Sequence, residues 1–313
     1  NMDKSKDNQT LLEKAIEFHK NGNLEEAFDH YTDLLDKGFI DPSLFSNLGL
    51  LKESLNELDE AKYLYNKAIN LFPNNIEGYL NLGTLYDKLG AKDKAIETYH
   101  KAIKLEPKSA IAYSNLGILL NKYENPTEAV DYLKQAVSIN PYFADAHFNL
   151  GCTNESLEFY KEAESSYLKA IEINPQMIVA LSNLGLLMRR EGRLDEGINY
   201  LEKAIALSQP NPNLHNDLSI IYLEKEEFKD ALTHIQKAIE LNPESPTFYS
   251  NLGNIYIELG DLEKAKINLN KALNIDKNCV NALVSLSEID LKNKNLKQAR
   301  IRLNQALEIN PLL

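Results

Sequence analysis

The chain has 313 residues, 43% of them hydrophobic and 26% charged, with 13 Gly, 11 Pro, 2 Cys and no Trp. Lys and Arg number 34 against 46 Asp and Glu, and the formal charge of -12 argues against nucleic acid as a partner, because a phosphate backbone is held by clustered positive charge. No stretch reaches the ~18–20 consecutive apolar residues of a membrane span, the polar start Met2-Asp3-Lys4-Ser5 lacks the apolar core of a signal peptide, and Cys152 and Cys279 are too few to staple a scaffold or hold zinc. The expected setting is a reducing cytoplasm, with no metal, cofactor, membrane or nucleic acid.

In chain order, residues 1–7 form a polar leader in which Asn1, ahead of Met2, reads as a tag remnant. From Asn8 onward the chain repeats every 34 residues, with repeats starting at residues 8, 42, 76, 110, 144, 178, 212, 246 and 280 and no insertion up to Leu313. The period is carried by Asn-Leu-Gly at Asn47, Asn81, Asn115, Asn149, Asn183 and Asn251, and Asp217-Leu218-Ser219 and Ser285-Leu286-Ser287 keep its register. Beyond each small residue come an Ala such as Ala95, Ala129 or Ala265, a large residue such as Tyr99, Leu133 or Leu269, and a second Ala such as Ala102, Ala136 or Ala272. Six repeats close with Pro73, Pro107, Pro141, Pro175, Pro243 and Pro311.

Apolar residues three, four and seven apart, as in Tyr79, Leu82 and Tyr86 and then Ala95, Tyr99 and Ala102, predict two amphipathic helices per repeat. Gly22, Asn56, Gly90, Gly192 and Gly260 fall where the first helix should stop, and the prolines just after the second. A Gly inside a helix costs about 1 kcal/mol relative to Ala, so its recurrence implies a neighbouring backbone pressed against that point.

Over residues 8–313 this pattern resembles the tetratricopeptide repeat, with Leu11, Phe45, Tyr79, Tyr113, His147, Leu181, His215, Tyr249 and Leu283 where that family usually has Trp. In repeat style it is similar to the arms of O-linked N-acetylglucosamine transferases. The resemblance implies an all-α, right-handed superhelical solenoid of nine helical hairpins, acting as a protein-binding scaffold that holds an extended peptide in its concave groove. The alternative is the substrate-selecting arm of a larger enzyme, such as a glycosyltransferase or sulfotransferase, with its catalytic domain beyond the C-terminus. No His-Glu-x-x-His pair, phosphate loop or Gly-x-Ser-x-Gly elbow exists, so a non-enzyme is expected.

In the family the groove is lined by the first helix of each hairpin. That places Asn47, Asn81, Asn115, Asn149, Asn183, Asp217 and Asn251 in one column at the sixth position of their repeats. The column has two compatible readings: local stabilisation of the hairpin, or a ladder of amides that holds a peptide backbone irrespective of its sequence. Leu80, Phe148, Ile118, Leu186 and Ile220 make the surrounding groove apolar. Arg189, Arg190 and Arg193 cluster near the end of a first helix, either as cations favouring the helix C-terminus or as an anchor for an acidic or phosphorylated group. At the start Glu13, Lys14 and Glu17 polarise the outer edge. The last repeat keeps Leu303, Ala306 and Leu307, so the chain is expected either to continue past Leu313 or to pack that end against another copy.

Overall fold

The computed structural model describes residues 2–123 and 125–312, and of residues 2–6 the backbone alone; Asn1 and Leu313, on which the expectations about the two ends partly rest, lie outside the described residues. Among the described residues there are eighteen α-helices and no strand. They are α1 (Met2–Lys20), α2 (Leu24–Asp36), α3 (Pro42–Ser54), α4 (Leu58–Leu71), α5 (Ile76–Lys88), α6 (Lys92–Leu105), α7 (Ala110–Lys122), α8 (Pro126–Ile139) and α9 (Ala144–Ser156), followed by α10 (Tyr160–Ile173), α11 (Ile178–Arg190), α12 (Leu194–Leu207), α13 (Pro212–Glu224), α14 (Phe228–Leu241), α15 (Pro246–Glu258), α16 (Leu262–Ile275), α17 (Val280–Lys292) and α18 (Leu296–Ile309). Two helices fall in each 34-residue repeat, as the periodicity predicts. The helix α1 begins at Met2, not at residue 8, because the polar leader contains no Pro or Gly to stop it.

The chain divides into two bodies, Asn1–Ala163 and Glu164–Leu313, with the boundary inside α10. In the N-terminal body, α1 pairs with α2, α3 with α4, α5 with α6 and α7 with α8 as hairpins, and each second helix also packs on the next first helix. First helices of successive hairpins touch as well: α1 with α3, α3 with α5, α5 with α7 and α7 with α9. The C-terminal body repeats this arrangement with α11/α12, α13/α14, α15/α16 and α17/α18, and with α11, α13, α15 and α17 in contact in succession. One hairpin has too little apolar surface to sustain itself, and the cores show how neighbours share it. Tyr31, Leu34, Leu44 and Leu48 join one repeat to the next in the N-terminal body, and Ile235, Phe248 and Ile255 do so in the C-terminal body.

The small residue of Asn-Leu-Gly is what closes each hairpin. A Cβ on Gly117 would lie 2.6 Å from Cγ of Leu133 and 3.2 Å from the Ala129 carbonyl oxygen. The pressure expected from a neighbouring backbone therefore comes first from a large side chain of the partner helix, with backbone just behind it. At the end of the first helices the chain turns through a left-handed residue, φ +72° at Gly90 and +77° at Gly260. Glu158, Glu226 and Lys294, with φ near +60°, take the same place, which marking the stops by Gly and Asn alone does not reveal.

At the first edge Leu12 and Ala15 are buried while Glu13, Lys14 and Glu17 are exposed. At the last, α18 buries Ala299 and Ala306 and leaves Leu296, Ile301, Leu307 and Ile309 exposed, with Arg302 tied to Asp290 of α17 at 2.8 Å.

Replacing Gly117 by Leu is expected to destabilise the chain by about 1–3 kcal/mol in urea or thermal unfolding, with partial recovery on adding Leu133→Ala, which vacates the space. Unchanged stability in Gly117→Leu would contradict this packing. Glu226→Gly is expected to raise stability by about 0.5–1 kcal/mol, because it removes Cβ strain at a left-handed position.

Candidate functional site

The first helices present the Asn column, and every described member of it, Asp217 included, is half-buried. Its members differ in what their amides do. In the N-terminal body, Nδ2 of Asn47 donates to the Ser43 carbonyl at 2.8 Å and Nδ2 of Asn149 to the Asp145 carbonyl at 2.7 Å, one turn back along their own helices. The Asn81 Nδ2 is buried without a partner, as is Oγ of Ser46 in the preceding repeat. The Asn115 side chain makes no hydrogen bond to the described residues, so both halves of its amide are unspent. Beside it Ile118 is 39% exposed, as is Leu50, while Leu80 and Phe148 are half-buried.

In the C-terminal body the column is knitted across repeats. Asn251 Nδ2 donates to Oδ1 of Asn216 at 2.7 Å, and Ser285 Oγ donates to Oδ1 of Asn254 at 2.7 Å. Asn183 Nδ2 reaches the Tyr167 hydroxyl at 3.4 Å. Burial pushes the Asp217 carboxyl above its ordinary pKa, against the opposing pull of a hydrogen bond from Asn216 and the charge of Arg189. Leu186 and Ile220 are half-buried.

The arginine cluster does not converge. Arg189 Nε donates to Oε1 of Glu224 at 2.8 Å, and Arg193 is shared between Glu164 at 2.8 Å and Glu196 at 2.6 Å. Two of the three guanidinium forks thus face carboxylates of the fold. Arg190 is exposed on the same helix. The Arg189–Glu224 pair also belongs to a series the sequence pattern did not expose. Lys88 lies 3.8 Å from Glu53, and Lys122 lies 2.7 Å from Asp87, each joining the twelfth position of one repeat to the thirteenth of the next.

Two cavities open away from the column. One of about 770 Å³ is lined by Pro243, Tyr249, Ile267, Lys271 and Asn274, and one of about 270 Å³ by Ile69, Tyr79, Tyr86, Lys94 and Lys101. In the first, the Lys271 ammonium stands 4.2 Å over the Tyr249 ring, a cation held against an aromatic face. Among the described residues no group of three or more His, Cys, Asp or Glu side chains is placed to hold a metal, and no helix is long and apolar enough to cross a membrane.

The family described as "Cilia and flagella-associated protein 70 C-terminal domain" matches residues 73–283, and that described as "TPR repeat" matches residues 49–90. No curated protein sequence matches. The Cut9 and Hcn1 hetero-tetramer of the APC/C is similar in structure, with a TM-score of 0.60 and 21% identity; 93% of this chain is covered, and the chain spans 57% of the length of that one. A tetratricopeptide repeat protein from Parabacteroides merdae has a TM-score of 0.56 and 21% identity over 82% of this chain and 98% of its own. Pseudomonas aeruginosa pilF has a TM-score of 0.59 and 18% identity over 68% and 97%.

Because burial raises the Asp217 pKa above the ordinary 3.8, ionising this carboxyl costs stability that is fully present below 3.8 and lost as pH rises through the folded value. Asp217→Asn is therefore expected to raise the melting temperature at pH 7 and to leave it nearly unchanged at pH 3; a larger gain at pH 3 would reverse the assignment.

Proposed function

Because the chain belongs to the tetratricopeptide repeat family, whose fold is a protein-interaction scaffold, we propose that it is a non-catalytic scaffold that holds an extended, largely uncharged peptide segment against its first-helix face. The observation that carries this reading is the environment of Asn115. An amide with both donor and acceptor unspent stands beside a 39% exposed Ile118, and its column neighbours Asn81 and Asn149 flank it one repeat away. An amide of that kind matches a peptide group, which offers one N–H and one C=O, and the apolar residues around it accept side chains without demanding charge. The ion pairs Glu53–Lys88 and Asp87–Lys122 neutralise the twelfth and thirteenth positions of these helices, which favours uncharged segments over strongly acidic or basic ones.

The test uses fluorescent 15-residue peptides of three kinds, neutral and apolar, acidic, and basic, titrated with the full chain. Neutral peptides are expected to bind best and with little dependence on salt. Asn115→Ala should weaken them by about 0.5–1.5 kcal/mol, roughly two- to tenfold, and Ile118→Asp by more. Equal binding to the parent and to the Asn115→Ala, Ile118→Asp double variant, with helicity preserved, would remove this face from the function.

A further inference from the structure

The hairpin α13/α14 holds two histidines in direct contact. Nδ1 of His215, on α13, lies 3.0 Å from Nδ1 of His234, on α14, with the rings stacked at 5.3 Å and 26°. The Tyr222 ring also stacks with that of His234, at 5.4 Å and 12°, and the Tyr222 hydroxyl reaches Glu202 of α12 at 3.4 Å. Two ring nitrogens at 3.0 Å have room for one hydrogen between them: one ring donates and the other must accept with its lone pair. A second proton removes the acceptor and sets two half-buried cations side by side. We propose that the His215–His234 contact is a proton-operated latch on the α13/α14 hairpin, closed while the pair shares one hydrogen and forced open when both rings are protonated.

The surrounding charges are mixed. Lys237 of α14 opposes protonation of His215, whereas Glu202 of α12 and Asp230 of α14 favour that of His234. Burial outweighs them and pushes both imidazoles below their ordinary value of 6.5, with the His234 charge adding to the effect on His215. The sign follows: the unfolded chain takes up these protons first, so the stability held by the pair is complete above 6.5 and is lost as pH falls through the folded values. Next to His215, Asn216 accepts the hydrogen bond of Asn251 on α15, so movement of α13 reaches the Asn column. The consequence for binding rests on the proposed function; the latch does not.

The experiment uses the full chain without any peptide. Imidazole resonances, assigned with His215→Gln and His234→Gln, are followed from pH 8 to 5 alongside hydrogen-exchange protection corrected for intrinsic rates. Both rings should titrate below 6.5. Protection in α13 and α14 should fall between 6.5 and those midpoints by up to about tenfold per pH unit for each ring, and the Asn251 amide signal should move with the same midpoints. In the double Gln variant, protection over that window should be flat. Either ring titrating at or above 6.5, or parent and double variant losing protection in parallel, overturns the latch; should the double variant fail to fold, the parent's titration decides. An Asn251 signal indifferent to the transition overturns the link to the column while leaving the peptide-binding reading untouched.

Discussion

A Cβ on Gly253 would sit 2.6 Å from Cγ of Leu269, and the same encounter recurs at Gly83 with Tyr99 at 2.7 Å and at Gly185 with Leu201 at 2.9 Å. Every such pair joins the two helices of one hairpin, a large side chain of the second helix filling the space left by a missing side chain on the first. The rest of the stack depends on this contact, since it sets how closely the helices of a hairpin approach and so which residues remain to meet the next repeat. Where Gly is replaced, the substitute keeps out of the way: Oγ of Ser219 turns back to the Asn216 carbonyl, and that of Ser287 to the Val284 carbonyl, both at 2.6 Å. A hydroxyl spent on its own helix occupies little of the crossing.

With hairpin closure handled by side chains facing inward, the first-helix column two residues earlier is free to vary, and it does. Asn47 and Asn149 spend an N–H on their own helices, Asn251 spends one on the neighbouring repeat, and Asn115 spends none. The column is therefore not uniform: some amides donate to the carbonyl one turn back along their own helix, and that of Asn115 does not. A peptide held along this face would meet inequivalent rungs, so its affinity would concentrate on few of them, as is common at interfaces.

The repeat length, the helix pairs, the glycine crossings and the proline ends were legible in the sequence because each is a periodic demand that one residue type satisfies. What escaped has no such signature. Glu158, Glu226 and Lys294 adopt left-handed backbone for the sake of the turn, against their own preference, so their identity carries no sign of it. Part of the abundance of Asn has a use apart from any groove: Asn140, Asn174, Asn242 and Asn310 each accept from the backbone N–H two residues on, bridging the turn after a second helix. The arginine cluster was visible as a cluster, but two of its carboxylates lie 35 residues away at Glu224 and 29 away at Glu164, distances a local reading does not cross.

Those long-range pairs bear on a problem peculiar to repeats, which is that similar hairpins offer similar surfaces to one another. A single exposed ion pair contributes well under about 1 kcal/mol, so their value lies less in stability than in discrimination. In the N-terminal body the acid comes first, Glu53 with Lys88 and Asp87 with Lys122; in the C-terminal body the order is reversed, Arg189 with Glu224. Exchanging neighbours between the two sets would put Glu53 opposite Glu224 and Arg189 opposite Lys88, replacing attraction by repulsion at both contacts. The apolar core, built from Ala and a large apolar or aromatic residue at the same places of successive repeats, discriminates less sharply between such neighbours. Order along the array is thus carried by the residues that contribute least to holding it together.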